Sequence, residues 1–281
     1  MKTRHFAPVL LGLLLLSGCG EKVDNTLKVI SFNIRLGIAD DGENSWKNRR
    51  DASVAMVNEQ LPDVMGLQEA YPFQDGYITQ QCKDYACIGV GRDDGQFLGE
   101  RMSILFNYNR VKPVKYGTFW LSETPDEPSF GWDAKCRRTA TWAKMTYLPS
   151  GKEFFFVNTH LDHKGEVARR EGLALIERKI AEMNPDNLPV ILTGDFNLRD
   201  NNPLILEFDK RMNNAREKAA VTDTLYSATG YRKDRGSRID YIFYNGFRKC
   251  SEFHTLTGEY AGKPFISDHY PVCATLVFKK K

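Results

Sequence analysis

The chain has 281 residues, of which 42% are hydrophobic, 27% charged and 12% aromatic. That composition excludes a disordered or fibrous protein as the main description, and the length is what one large α/β domain can fill. The formal charge of +3 is close enough to neutral to exclude a general electrostatic claim on nucleic acid.

Lys2 and Arg4 open the chain, Phe6 to Leu16 is a nearly unbroken apolar stretch, and Leu16-Ser17-Gly18-Cys19 follows directly. About 11 apolar residues are too few to span a bilayer, which takes about 20. The stretch resembles a bacterial lipoprotein signal. The resemblance implies cleavage before Cys19, a diacylglyceryl group on the Cys19 sulfur, a membrane as partner through that lipid, and a place in the bacterial cell envelope. Residues 1–18 then form the signal peptide, 19–26 a polar tether and 27–281 the globular domain. Removing residues 1–18, which carry Lys2, Arg4 and no acid, leaves a formal charge of +1.

The domain begins with an apolar-rich run from Leu27 to Ile34 that contains Asn33. Arg50 to Glu59 has helical periodicity, and Val64 to Leu67 is a second apolar run ending at Gln68-Glu69, so the opening reads strand, helix, strand. Further strands are read at Met102–Asn107, Thr139–Tyr147, Phe154–Thr159, Val190–Thr193, Ile239–Tyr244 and Val272–Phe278. One long amphipathic helix fits Glu166 to Met183, ended by Asn184-Pro185. Polar residues recur at strand ends: Asn33, Glu69, His160, Asp195, Asn197 and Asp240. A single site built on one edge of a packed sheet explains this economically. Five cysteines follow Cys19. A Cys82/Cys87 or Cys250/Cys273 disulfide is permitted outside the cytoplasm, at least one cysteine stays unpaired, and no paired spacing suits zinc.

The motifs are Ser31-Phe32-Asn33-Ile34, Leu67-Gln68-Glu69, Asn158-Thr159-His160-Leu161, Gly194-Asp195-Phe196-Asn197, Ile239-Asp240-Tyr241-Ile242 and Ser267-Asp268-His269-Tyr270-Pro271. In this order and at these separations they resemble the endonuclease/exonuclease/phosphatase superfamily over about residues 27–278. The resemblance implies a four-layer α/β sandwich of the deoxyribonuclease I type, with two packed mixed β-sheets flanked by helices and the site at one end. It also implies Mg²⁺-dependent hydrolysis of a phosphoester, with Mn²⁺ as an alternative ion. The residue types suit that chemistry. A phosphoester is anionic and water is a poor nucleophile, so a hard cation, a base and donors for developing charge are all needed. Glu69, Asn33 and Asp268 offer the oxygen ligands that Mg²⁺ prefers, with Glu69 the principal ligand by resemblance. Asp195 is the candidate base for the attacking water. Asn197, on the same side of an extended segment, places its amide beside the same phosphate. Asp240 and His269 fit a carboxylate–imidazolium pair on the scissile phosphate, and His160 a donor to a phosphate oxygen or the leaving group.

Taken singly, each residue has a blander reading as a turn residue, a solvated acid or a helix cap. Six motifs in family order make joint coincidence improbable. Arg138 fits a family position for a phosphate-contacting arginine, against a surface charge on a strand edge, and Arg137 is the substitute. Glu100, ahead of the strand at Met102, reads as a plain surface acid rather than a residue behind the metal shell. Trp120 and Trp132 wall the pocket or pack the loop. The competing functions are a nuclease acting on DNA or RNA and a catalytically silent phosphoester-binding lipoprotein. A Ser-His-Asp hydrolase is disfavoured because no Gly-x-Ser-x-Gly elbow occurs. Near-neutral charge favours a small or lipid-linked substrate over long duplex DNA. No protein partner is implied, and a monomer is expected.

Overall fold

The computed structural model describes residues 24–280, so the signal segment and Cys19 lie outside the described residues. In chain order the strands are β1 (Thr26–Asn33), β2 (Val64–Ala70), β3 (Tyr85–Ile88), β4 (Arg101–Asn107), β5 (Val111–Trp120), β6 (Thr139–Tyr147), β7 (Lys152–His160), β8 (Val190–Asp195), β9 (Asn213–Asn214), β10 (Asp240–Asn245), β11 (Lys249–Thr255) and β12 (Val272–Val277). The helices are α1 (Trp46–Gln60), α2 (Pro72–Gln81), α3 (Glu166–Met183), α4 (Pro203–Phe208) and α5 (Ala215–Lys218). The strands form two six-stranded sheets, in the orders β11-β12-β1-β2-β4-β3 and β5-β6-β7-β8-β10-β9. Each sheet is mixed: β1 and β2 pair in parallel, as do β7 and β8, and the other named pairings are antiparallel.

Period-two alternation builds the layers. Along β1, Val29 joins a cluster with Phe154, Phe156, Ile191 and Ile242 of the second sheet, while Ile30 and Phe32 join α1 residues Met56 and Val57 on the other side. Along β7, Phe154 and Phe156 face between the sheets, and Phe155 and Val157 pack toward Leu173 and Ile176 of α3. Strands buried on both faces read as continuous apolar runs, which is why Leu27–Ile34 and Phe154–Thr159 are legible in the sequence. The result is the four-layer α/β sandwich that the resemblance implies.

Toward one end, polar residues replace apolar ones between the sheets. Gln68 Nε2 donates to Asn158 Oδ1 (2.7 Å) and Ser31 Oγ (3.2 Å), Asn158 Nδ2 donates to the carbonyls of Leu67 (2.7 Å) and Ser103 (3.0 Å), and Thr193 Oγ1 donates to Asn158 Oδ1 (3.1 Å). The sheets come so close here that a Cβ on Gly66 would lie 2.2 Å from Thr193 Oγ1 and 2.4 Å from Asn158 Oδ1. This hydrogen-bonded layer locks the relative position of the two sheets at the strand ends that carry the motifs.

The helix expected at Arg50–Glu59 begins earlier, at Trp46, and ends where Leu61 takes a left-handed φ of 47°. β3, β5, β11 and α2 were not foreseen: Val111–Trp120 carries four exposed positions and two glycine- or proline-bearing breaks in its pattern, and Pro72–Gln81 buries only three residues. The cysteines correct the expectation of a Cys82/Cys87 or Cys250/Cys273 disulfide, since among the described residues Cys82, Cys87, Cys136, Cys250 and Cys273 are all free. Cys250 stands opposite Leu276 and Cys273 opposite His254, so register keeps them apart. Among the described residues no helix is long and apolar enough to cross a membrane.

Candidate active site

The register of the second sheet assembles the centre of the site. His160 at the end of β7 pairs with Asp195 at the end of β8, and Asp195 pairs with Asp240 at the start of β10. Three chemically active side chains therefore stand in one row. The first sheet adds Asn33 and Glu69 from the ends of β1 and β2, and the segment before β12 adds Asp268 and His269.

Asp195 is the buried hub. Its Oδ2 accepts from Asn33 Nδ2 (3.0 Å) and lies 3.5 Å from His160 Nε2 and 3.9 Å from His269 Nε2, while its Oδ1 accepts from the Asn197 backbone N–H (2.9 Å). Burial, reinforced by the nearby Asp240 carboxylate, pushes the Asp195 carboxyl up to about 7. A carboxyl poised near neutrality can take a proton from water, which is what a general base requires.

His269 Nδ1 is 2.8 Å from Asp240 Oδ2. Burial alone would lower the imidazole, but the Asp240, Asp195 and Asp268 carboxylates outweigh it and hold His269 well above its ordinary value. His269 is thus held as an imidazolium with Nδ1–H on Asp240 and Nε2–H left for another acceptor. His160 goes the other way: burial, then Arg138 and Arg92, push it well below its ordinary value. Asn197 Nδ2 contacts His160 Nε2 at 2.9 Å and donates to the Leu161 carbonyl at 3.0 Å. With the amide donating, Nε2 accepts and the proton sits on Nδ1, a buried atom without a partner among the described residues.

Two expectations about the asparagines change. The chain after Asp195 is not extended, because Asn197 has a φ of 51° and its N–H turns back onto Asp195. Its side chain holds His160 and Leu161. Asn33 was read as an oxygen ligand, yet its Oδ1 accepts from Arg35 N–H (3.0 Å) and its Nδ2 donates to both Glu69 Oε1 (2.9 Å) and Asp195 Oδ2 (3.0 Å). Here it holds two carboxylates together as a donor.

Glu69 leaves the sheet at an irregularity. The β2–β4 register breaks between Leu67 and Ala70, and Glu69 has a φ of 61°, so the side chain is re-aimed as at a β-bulge. Its Oε2 accepts from Leu36 N–H (2.9 Å). Asp268 accepts from Ser267 Oγ (3.2 Å) and has Arg35 Nε at 3.8 Å, with burial raising its carboxyl and the Glu69 charge adding to that. The oxygen donors suit a divalent cation: the Glu69 charge helps to raise the Asp268 carboxyl, and Asp195 and Asp268 both have their ionised forms disfavoured, a charge excess a cation offsets. Asp195, Asp240 and His269 also lie close enough to share an ion, but His269 Nδ1 is committed to Asp240 and protonated, which suits proton chemistry better.

These groups open into a cavity of about 220 Å³ lined by Leu36, Glu69, Arg92, Glu100, Cys136, Arg138, His160, His163, Asp195, Asn197 and His269. Arg138 is no surface charge: it is 5% exposed, with Nη2 at 3.2 Å from His163 Nδ1 and Nε at 3.5 Å from Asp162 Oδ2. Arg137 points to Asp93 and Phe130 instead. Glu100 is not a surface acid either, being buried in a two-pronged pair with Arg92 (2.8 Å on each nitrogen). Trp120 donates from Nε1 to the Arg92 carbonyl (2.7 Å), and Trp132 packs beside the α3 cluster, so both support loops.

Sequence reasoning missed Arg92, Asp162 and Arg49. Asp162 Oδ1 accepts from the N–H groups of Lys164 (2.9 Å) and Gly165 (2.8 Å), and Oδ2 from Lys135 (3.0 Å) and Cys136 (3.2 Å), which ties together the two loops behind Arg138. Its place two residues after His160 was the available signal. Arg49, 1% exposed, donates to the carbonyls of Ile34 (2.6 Å), Arg35 (2.9 Å), Asn44 (2.9 Å) and Ile266 (3.1 Å). It falls on the same helical face as Trp46, Ser53, Met56 and Val57, a spacing that would have marked it as buried.

A model of the endonuclease/exonuclease/phosphatase family matches residues 30–269. Among solved structures, an endonuclease/exonuclease/phosphatase family protein from Bacteroides thetaiotaomicron is 34% identical with a TM-score of 0.86, covering 91% of this chain and 99% of that one. A mannosyl-6-phosphatase of the same bacterium is 33% identical with a TM-score of 0.85, covering 90% of this chain and all (100%) of that one. An uncharacterized protein of Acanthamoeba polyphaga mimivirus is 27% identical over 272 residues, 88% of this chain and 98% of its own.

Proposed function

We propose, from the fact that this chain belongs to the endonuclease/exonuclease/phosphatase family of metal-dependent phosphoric ester hydrolases, that it uses Mg²⁺ to hydrolyse a small phosphoester of about sugar-phosphate size. The observation that carries this is Asp195, a buried carboxyl poised near neutrality between a neutral His160, an imidazolium His269 and the Asn33–Glu69 pair. Asp195 takes the proton of the attacking water. His269, oriented by Asp240, bonds the scissile phosphate through Nε2–H. His160, positioned by Asn197 through Nε2, has Nδ1–H left as its donor for a phosphate or leaving-group oxygen, and Arg138 contacts phosphate. Glu69 and Asp268 would hold Mg²⁺, with Asn33 orienting Glu69; the ion supplies a hard Lewis acid for phosphoryl oxygens.

The cavity supports a small substrate. At about 220 Å³ it is below the range of roughly 300–1,000 Å³ usual for drug-sized ligands, and it suits a compact anion. The mannosyl-6-phosphatase at 33% identity supports the same class. A long nucleic acid is disfavoured by the near-neutral charge of the chain. For location, the Leu16-Ser17-Gly18-Cys19 ending supports a lipid anchor at Cys19 and residence in a bacterial envelope, which intact-mass measurement of the native protein tests through the diacylglyceryl increment. The functional test is turnover of a panel of sugar phosphates, choline- and ethanolamine-type phospholipids, RNA and plasmid DNA at one Mg²⁺ concentration, before chelation, in chelator and after add-back. Turnover undiminished in chelator would remove the metal assignment. Salt-sensitive cutting of DNA faster than every small substrate would remove the size assignment.

A further inference from the structure

Arg92 and Arg138 line the same cavity as Glu69, His160, Asp195 and His269, and their donor capacity is not used up within the protein. Among the described residues Arg138 Nη1 has no hydrogen-bond partner, although the residue is 5% exposed. Arg92 commits both terminal nitrogens to Glu100 and keeps Nε unpartnered. A buried guanidinium N–H without an acceptor is costly, and an anion in this cavity would supply one.

We propose that Arg92 and Arg138 form a dianion cradle that makes the site selective for phosphomonoesters over phosphodiesters. The inference rests on the phosphoesterase reading and deepens it by naming the substrate class. A monoester carries about −1.5 to −2 charge at pH 7 and three acceptor oxygens, and a guanidinium is a donor only, shaped to meet such oxygens in pairs. A diester carries one charge less and turns one of those acceptors into an ester oxygen bearing a second carbon arm. That arm needs its own exit. The cavity holds about 220 Å³, and on its arginine side Asp162, 1% exposed, ties the backbone of Lys135 and Cys136 to that of Lys164 and Gly165 beside Arg138. One arm of the substrate can leave, through the mouth; a second meets charged, buried side chains.

The test titrates methyl phosphate and dimethyl phosphate calorimetrically into the whole Mg²⁺-loaded protein at about pH 8, above the second ionisation of a monoester near 6. The two probes differ by one methyl group and one charge. Methyl phosphate is expected to bind at least tenfold tighter. Arg92→Gln and Arg138→Gln each lower its affinity at least tenfold and that of dimethyl phosphate by less, while Glu100→Gln, which frees the Arg92 fork, raises it. Arg138→Lys keeps the charge beside Asp162 if the glutamine variant does not fold, and retains the preference with weakened affinity. Equal affinity for the two probes, a ratio unchanged in the folded Arg92→Gln protein, or an affinity for methyl phosphate unchanged in the folded Arg138→Lys protein overturns the cradle. Turnover of p-nitrophenyl phosphate and bis-p-nitrophenyl phosphate is measured alongside. Equal turnover of both overturns the cradle and leaves the hydrolase assignment standing. Selective binding of methyl phosphate with no turnover of either supports the cradle and removes the catalytic assignment of Asp195 and His269.

Discussion

Arg49 gives the sharpest stability prediction. Its guanidinium is buried with no carboxylate of the described residues within ion-pair distance and donates to four carbonyls, two just after β1, one in the turn before α1 and one at Ile266, next to Ser267-Asp268-His269. Hydrogen bonds from a charged donor contribute about 1.5–3 kcal/mol each, so the gross loss in Arg49→Met is about 6–12 kcal/mol. Relief of burying a cation returns several kcal/mol. The expected net destabilisation is therefore about 3–5 kcal/mol, the range seen when a buried charge network loses one member. Arg49→Lys replaces a flat fork by one point of attachment with three donors, leaving at least one carbonyl unpaired at about 1–3 kcal/mol. Urea unfolding monitored by fluorescence reads both, with the m-value expected to stay constant. Because Ile34 and Arg35 follow Asn33 and Ile266 precedes Asp268, Arg49→Lys is also expected to raise the Mg²⁺ concentration needed for half-maximal turnover more than it raises KM for substrate. An Arg49→Met protein within 1 kcal/mol of the parent (a bound of about one ordinary hydrogen bond) would refute the reasoning.

Asp240→Asn removes the carboxylate that fixes His269 Nδ1–H, so turnover is expected to fall about 10²-fold or more with the fold retained; a folded variant of near-normal rate would exclude the pair. Asp162 is held at about 2 against an ordinary 3.8: burial works to raise it, and the N–H donors of Gly165 and Lys164 together with Arg138 outweigh that. A lowered carboxyl stabilises the fold above its unfolded value, so this contribution, about 2 kcal/mol at about 1.4 kcal/mol per pH unit, is fully present above about pH 4 and is lost as pH falls toward 2. Asp162→Asn should flatten the stability curve in that window, and an unchanged acid limb would argue against it. Gly66→Ala puts a methyl group against Thr193 and Asn158 and is expected to cost about 1–3 kcal/mol or more, read as a lower melting temperature.

How much of this was legible depends on what each signal measures. Strands buried on both faces announce themselves as apolar runs, so β1, β6, β7, β8 and β12 could be read within a residue or two. Edge and half-exposed strands such as β5 and β11 lack that signature, and β3 has only four residues. The site residues were legible as types in family order, and the structure brings Asn33, Glu69, His160, Asp195, Asn197, Asp240, Asp268 and His269 to one end of the sandwich. Which atom of each faces which neighbour was not legible, because it depends on three-dimensional register.

Asn33 shows what that gap costs. Its amide has one acceptor and one donor end, and sequence gives no means of telling which end faces the acids. In the fold the acceptor end is taken by Arg35 N–H, a bond that the left-handed φ of 60° at Arg35 makes reachable, so the donor end has to face Glu69 and Asp195. One amide nitrogen then joins the carboxylate assigned to the cation to the carboxylate assigned to the water. Any change that moves β1 relative to β8 shifts both at once, which is why the prediction made for distant Arg49 includes the chemistry as well as the stability.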